Sequence, residues 1–318
     1  MDAAAFLADL EAKPTSLTAL ADRLDADDPW AALPAYDRLV LVGMGSSAYA
    51  AGVAAARLRA AGVDAVAELA SSDLLPPARA GTLVLAVSAG GGSRETVAAV
   101  SSYAGTVPVV LLTERTDSEL AAQADLVVPL GAGEERGGVA CRSYQHTAAL
   151  LLALEAHVTG SRPEVASLVR RSAEATADLL DRRDDWLPEL RDLLLDGECT
   201  HVVAPARRLA SAQQSALMLR EGPRLPAVAC ETGDWSHVDV YLTKTTAYRM
   251  LLLAGSRWED ELLRWTTERR STVVAVGADV PGAALSLRYR HDEDDDVRLL
   301  TEVLVAELLA ADAWSRQT

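Results

Sequence analysis

Cysteine is scarce in this chain of 318 residues: Cys141, Cys199 and Cys230 are widely separated and show no CxxC spacing. That excludes a disulfide framework and a zinc knuckle, and it suits a reducing cytoplasm. Aromatic side chains are few, with a single Phe, so the core has to be built from aliphatic residues. No stretch approaches the roughly 18 unbroken apolar residues of a membrane helix. The start, Met1-Asp2-Ala3-Ala4-Ala5-Phe6-Leu7-Ala8-Asp9, has no basic segment ahead of a long apolar one. Positive charge is also short. A net charge of −16 with no basic stripe excludes binding to a phosphate backbone. The expectation is a soluble cytoplasmic protein that engages neither nucleic acid nor membrane.

What is present is apolar patterning. Half of the residues are hydrophobic, and the length allows about two domains of roughly 100–200 residues each. Residues 1–36 read as short acidic helices, broken at Pro14-Thr15-Ser16 and at Asp27-Asp28-Pro29. From Asp37, strands at 39–42, 65–69, 83–87, 107–112 and 126–130 alternate with helical stretches, among them Ala48 to Ala61. This alternation predicts an α/β fold with a parallel sheet covered by helices. Cys141 to Val158 and Pro163 to Leu195 read as helices. A second series follows, with strands at 200–203, 250–254 and 272–276, a helix from Leu209 to Glu221, and a closing helix from Asp294 to Ala311. The predicted organisation is a helical segment 1–36, a first α/β domain 37–160, a helical connector 161–198 and a second α/β domain 199–318.

The halves read as a duplication. Aligning Leu41 with Val202 places Gly43 on Ala204, Gly45 on Ala206, Leu58 on Leu219 and Asp73 on Asp234. The Gly and Ser loops of the first half become Ala204-Pro205-Ala206-Arg207 and Ala254-Gly255-Ser256-Arg257 in the second. Only the first half keeps a phosphate-type cradle. There, Gly43-Met44-Gly45-Ser46-Ser47-Ala48 and Ser88-Ala89-Gly90-Gly91-Gly92-Ser93 each join a strand to a helix. Such loops offer hydroxyls and free backbone N–H groups at the positive end of a helix dipole, where an anion binds. The first also fits G-x-G-x-x-A with Glu68 beyond it, a dinucleotide fingerprint. Two converging Ser/Gly loops suit a compact phosphate better. Ser88, at a strand end, has no capping role, whereas Ser93 is placed to cap a helix with or without a ligand.

Taken together, Gly45-Ser46-Ser47 and Ser88-x-Gly90-Gly91-x-Ser93-x-Glu95-Thr96 resemble the sugar isomerase (SIS) domain family, whose loops read G-[TS]-S and S-x-S-G-x-[ST]-x-[DE]-T. The resemblance implies two three-layer αβα sandwiches with parallel sheets. It also implies a sugar-phosphate site using Gly45, Ser46, Ser47, Ser88, Gly90, Gly91, Ser93 and Thr96. Gly90 departs from the pattern, since the family has a second Ser there. Glu68 to Asp73 is similar to the family's E-x-A-S-E segment. Gly138-Val139-Ala140-Cys141-Arg142-Ser143-Tyr144 is similar to its G-V-A-x-T-[KR]-[SA]-F segment with one residue missing, which makes Val139, Ala140, Cys141 and Arg142 pocket candidates.

Ala216-Leu217-Met218-Leu219-Arg220-Glu221 resembles the A-L-K-L-K-E that ends a helix in double-SIS phosphosugar enzymes, and His237 follows sixteen residues later in a segment resembling G-E-x-x-H. Glu221 ends its helix just before Gly222-Pro223, where the dipole disfavours a carboxylate, so stability does not explain it. A carboxylate with a raised pKa suits a base that moves a proton between C1 and C2 of an open-chain sugar. The resemblance gives Glu221 that shuttle role through an enediol or enolamine, and gives His237 ring opening or leaving-group protonation, donated across a homodimer. It requires no metal and no organic cofactor. Isomerase, deaminase and fructosamine 6-phosphate deglycase activities all fit an enzyme of this kind. The alternatives are a non-catalytic sugar-phosphate sensor and a dinucleotide-binding enzyme. Three further features stay open at this level. His146 reads as a packing residue or a pocket neighbour, Arg207 and Arg208 as partners of an acidic substrate or of surface carboxylates, and the run His291 to Asp296 as a solvated acidic stretch before a helix.

Overall fold

The computed structural model describes residues 1–160 and 164–317. Pro163, where the connector helices were expected to begin, and Thr318 lie outside the described residues. The chain starts with α1 (Ala3–Glu11) and α2 (Lys13–Ala26). Pro14 does not break the helices as the sequence suggested: it sits in the first turn of α2. Proline is tolerated there because the N–H it lacks would have no intrahelical partner.

Two five-stranded parallel sheets follow. The first contains β1 (Arg38–Gly43), β2 (Ala65–Leu69), β3 (Thr82–Val87), β4 (Val109–Thr113) and β5 (Leu126–Pro129), in the order β2-β1-β3-β4-β5. Its helices are α3 (Ser46–Ala60), α4 (Arg94–Ser101) and α5 (Arg142–Thr159). All six residues of β3 are buried, as expected of a strand covered on both faces. Period-2 alternation sorts the strand side chains. Val40, Val42, Val84, Ala86, Val109 and Leu111 share one face with Ala99 and Val100 of α4 and with Tyr103.

After α6 (Val165–Asp181) and α7 (Arg183–Leu195), the second sheet contains β6 (Thr200–Ala204), β7 (Ala227–Glu231), β8 (Arg249–Leu253), β9 (Thr272–Val276) and β10 (Leu285–Leu287). Its order, β10-β9-β8-β6-β7, is the same winding as the first sheet. The associated helices are α8 (Leu209–Glu221), α9 (Thr232–Trp235), α10 (Glu259–Glu268), α11 (Asp295–Thr301) and α12 (Val303–Ser315). The fold is therefore α/β with two parallel-sheet sandwiches.

The chain divides into two compact units, and the division does not fall at 36/37 or 160/161. One unit comprises residues 16–134 and 142–169 and carries β1–β5. The other comprises residues 1–15, 135–141 and 170–318 and carries β6–β10. Within the β6–β10 unit, α12 packs on α8 and on α1. A fully buried ion pair joins Lys13 Nζ to Glu307 on α12. Burial pushes the Glu307 carboxyl up while Lys13 pulls it back down. Removing one member of such a pair strands the other charge, at a cost of about 3–5 kcal/mol. Lys13→Met is accordingly expected to lower the unfolding free energy by about that amount, read from urea denaturation. An unchanged midpoint would contradict the structural role given to the pair.

Candidate active site

In the β1–β5 unit the chain leaves β1 towards β2 on one side and β3 towards β4 on the other, so the neighbouring ends of β1 and β3 form a topological switch point. Ligands of open parallel sheets bind at such crevices. The register pairs Gly43 with Val87, the last residues of the two strands, so the loops after them start side by side. The first loop turns at Gly45, which has φ of 51° and heads α3 with no side-chain cap. The leading N–H groups of this 15-residue helix lack an intrahelical acceptor, although that of Ser47 donates to Met44 O in the loop at 3.1 Å. Ser46 and Ser47 are half-buried at its first turn, and among the described residues their hydroxyls have no hydrogen-bond partner.

The second loop is ordered by backbone bonds. Gly91 N–H donates to Ser88 O at 3.1 Å, while Glu114 N–H and Thr113 Oγ1 both donate to Ala89 O, at 3.1 and 3.2 Å. Gly91 lies at φ of 62°, and a Cβ there would come within 2.5 Å of Ser118 Oγ. Glycine is required at that point. Ser88 is buried, and its hydroxyl has no partner among the described residues. Ser93 is different. Its Oγ accepts Thr96 N–H at 3.3 Å and donates to Thr96 Oγ1 at 2.6 Å, capping α4. Of the predicted phosphate ligands, Ser46, Ser47 and Ser88 thus present free hydroxyls, whereas Ser93 and Thr96 hold each other. Gly90 is exposed, and a Cβ there would meet nothing within 4 Å. Glu68 lies on β2 opposite Val42, one residue before the strand ends at Leu69.

The equivalent edge of the β6–β10 unit is closed by its own side chains. Gly255 N–H and Ser256 N–H both donate to Glu259 Oε1, the latter at 2.8 Å. Arg207 donates to Gly255 O at 2.7 Å, Arg298 donates to Ala254 O at 3.1 Å, and the buried Arg208 pairs with Glu302. Arg207 also pairs with Asp295. These arginines are committed to carboxylates and carbonyls of the same unit. The acidic run is committed likewise: Asp292 to Arg288, Asp294 to Arg171 and to the cap of α11, and His291 to Glu174 at 2.8 Å.

Glu221 is the last residue of α8 and is half-buried. Burial raises its pKa first, and the charge of Glu135 raises it further. His237 follows α9 on an exposed segment, its N–H donating to Asp234 O at 2.8 Å. The segment is pinned by buried Trp235, whose Nε1 donates to Tyr248 Oη at 2.8 Å. Val139 and Cys141 are buried in the same unit, and burial pushes the Cys141 thiol well up. Ala140 O accepts Gln214 Nε2 at 3.0 Å. Arg142 belongs to the β1–β5 unit and donates to Glu134 O. His146 is fully buried, with Nδ1 3.1 Å from Leu130 O and Nε2 2.8 Å from Ser16 Oγ. Since the carbonyl can only accept, Nδ1 carries the proton and Ser16 donates to Nε2. His146 is thus a satisfied core histidine. The sequence reading missed Glu135, Gln214 and Lys13. Glu135 stands beside a second Glu in a Gly-rich segment with no periodicity to single it out.

Residues 34–157 match the family model of the SIS domain. The matched SIS domain spans all of β1–β5, including both loops. A search of curated protein sequences found no match. Among solved structures, the chain is similar to a tagatose-6-phosphate ketose/aldose isomerase from Escherichia coli, with a TM-score of 0.82, 17% identity, and coverage of 100% of this chain and 95% of that one. It is also similar to the C-terminal domain of a glucosamine-fructose-6-phosphate aminotransferase from Francisella tularensis, with a TM-score of 0.81, 15% identity, and coverage of 98% and 96%. A glucosamine-6-phosphate deaminase from Thermotoga maritima gives a TM-score of 0.74 at 17% identity, covering 98% and 95%. At these identities the likeness establishes the fold of both sandwiches. Among the described residues, no helix is long and apolar enough to cross a membrane.

Proposed function

We propose that the protein is a phosphosugar-processing enzyme, an aldose–ketose isomerase or an amino-sugar 6-phosphate deaminase or deglycase. The observation that carries this reading is the pair of loops at the β1/β3 switch point. There, free hydroxyls of Ser46, Ser47 and Ser88 meet the uncapped start of α3. A phosphate dianion satisfies those donors and the helix dipole together. The SIS family match and the three phosphosugar enzymes with the same fold support the ligand class.

The reaction assigned to Glu221 is proton transfer. An open-chain aldose 6-phosphate has an acidic hydrogen on C2, beside the C1 carbonyl. Glu221 as carboxylate takes that proton while O1 gains one, leaving an enediol, or an enolamine if C2 bears nitrogen. Returning the proton to C1 as O2 loses its own gives the ketose; in the nitrogen case the C2 imine so formed is hydrolysed by water to the ketose and the free amine. The raised pKa suits both halves, because the group must be a base in one and an acid in the other. His237 is assigned to ring opening or protonation of the leaving group. Its exposure, beside exposed Val238 and Tyr241, favours donation across a homodimer, and light scattering tests that assignment.

A thermal-shift series tests the ligand class. Hexose 6-phosphates and amino-sugar 6-phosphates at 100 times their Kd are expected to add about 2.7 kcal/mol of stability. The unphosphorylated sugars and NAD(H) are expected to add none. Protection by NAD(H) without protection by sugar phosphates would overturn the reading in favour of a dinucleotide enzyme.

A further inference from the structure

The segment that presents His237 is held on both sides of that residue. Trp235, fully buried two residues before it, donates from Nε1 to Tyr248 Oη at 2.8 Å. Asp239, two residues after it, opens the 3-10 helix Asp239–Lys244. Its Oδ2 accepts from Tyr248 Oη at 3.4 Å and from His201 Nδ1 at 3.3 Å. An indole N–H only donates and a carboxylate only accepts, so the direction of the chain is fixed. The Tyr248 hydroxyl takes a hydrogen bond from Trp235 and gives one to Asp239, and His201 carries its proton on Nδ1.

Both anchors lead to the sheet. Tyr248 is 2% exposed directly ahead of β8, and its ring stacks on that of His201 in β6, with centroids 4.0 Å apart and planes 21° apart. The downstream part of the segment is held separately: Arg269, just after α10, donates to Val240 O at 2.6 Å and to Thr243 Oγ1 at 2.7 Å. Between the two anchors stand Ser236, His237 and Val238, and the last two are exposed.

We propose that Tyr248 is a positioning residue for His237: one buried hydroxyl ties residues 235 and 239 to the sheet and so fixes the backbone from which His237 reaches its substrate. The role of His237 in ring opening or leaving-group protonation rests on the phosphosugar reading, whereas the clamp does not. The physical basis is conformational entropy. An imidazole on a free loop spreads over many placements, and a general acid works only when held within hydrogen-bond reach of the atom it serves. Tyr248 lies beneath the segment and acts through its backbone.

The experiment compares three variants of the whole protein. Tyr248→Phe keeps the ring on His201 and removes only the oxygen. Asp239→Ala removes the second anchor and repeats each readout from the other side, while Asp239→Asn keeps an acceptor oxygen for the Tyr248 hydroxyl. Hydrogen exchange without substrate, read by mass spectrometry over residues 232–242, is expected to quicken about 3–10-fold in Tyr248→Phe and in Asp239→Ala. Asp239→Asn is expected to stay close to wild type. Unchanged exchange in Tyr248→Phe overturns the inference, whatever happens to kcat. Tyr248→Phe is also expected to lower kcat for a sugar phosphate about 10-fold with little change in KM, and to lower it no further in a His237→Ala background. An equal loss in both backgrounds overturns the positioning role and leaves Tyr248 a general support of the fold. If exchange quickens but no sugar phosphate is turned over, the clamp stands and the phosphosugar reading fails.

Discussion

Glu221→Gln is expected to reduce turnover of the sugar phosphate by about 10²–10⁴-fold, the usual worth of a positioned general acid–base group. Ligand protection in a thermal-shift assay should persist, because the phosphate is assigned to hydroxyls and N–H groups of the β1–β5 unit and not to Glu221. That combination separates an enzyme from a sensor, which would keep binding and have no turnover to lose. The same substitution carries a stability signature of opposite sign. A carboxyl whose folded-state pKa is raised contributes stability that is complete below the ordinary carboxylate pKa and is lost as pH rises through the raised value. Glutamine has no such loss. Glu221→Gln should therefore unfold at a higher temperature than wild type at neutral pH, and the gap should close in mild acid. A neutral-pH Tm below that of wild type would mean that Glu221 makes a structural contact the geometry does not contain.

Gly90→Ser is expected to tighten sugar-phosphate binding. The SIS pattern has a serine hydroxyl where this chain has Gly90, and a hydrogen bond to a charged group contributes about 1.5–3 kcal/mol, roughly 10–100-fold in Kd. The position tolerates the change. A Cβ at Gly90 meets nothing within 4 Å, and its backbone does not lie in the left-handed region. Gly91→Ala is the contrasting control, since its φ of 62° and the 2.5 Å approach to Ser118 Oγ force the loop to move. It should weaken binding even though it removes no hydroxyl. Calorimetric titration with a hexose 6-phosphate reads both variants. If Gly90→Ser binds no better than wild type, the anion does not sit over the 88–93 loop.

Much of the β1–β5 unit was legible in the sequence because its signals are local. Valine- and leucine-rich runs marked β1 and β3, and the Gly and Ser residues after them marked the loops that the register brings side by side. The place of Glu221 at the end of α8 was legible for the same reason, just before Gly222-Pro223. Other features depend on contacts distant in sequence. Ser93 offered equal signals as a ligand and as a cap, and the cap bonds to Thr96 are the ones formed. Arg207 and Arg208 showed only charge. Their carboxylate partners Asp295 and Glu302 lie about ninety residues away, and nothing local announces them. Val139, Ala140, Cys141 and Arg142 were read as pocket candidates by motif. The Ala140 bond to Gln214 and the effect of Glu135 on Glu221 arise only from the way the β6–β10 unit gathers three separate stretches of chain.

The central claim is that a phosphate-anchored sugar loses a carbon-bound proton to Glu221. Proton NMR of hexose 6-phosphates and amino-sugar 6-phosphates incubated with the protein in D₂O tests it directly. The expected result is enzyme-dependent loss of the C1 or C2 hydrogen signal for at least one sugar phosphate. The loss should be absent with the matching free sugar and about 10²–10⁴-fold slower with Glu221→Gln. Exchange that proceeds equally fast in Glu221→Gln, or no exchange with any sugar phosphate that protects the protein thermally, would contradict it.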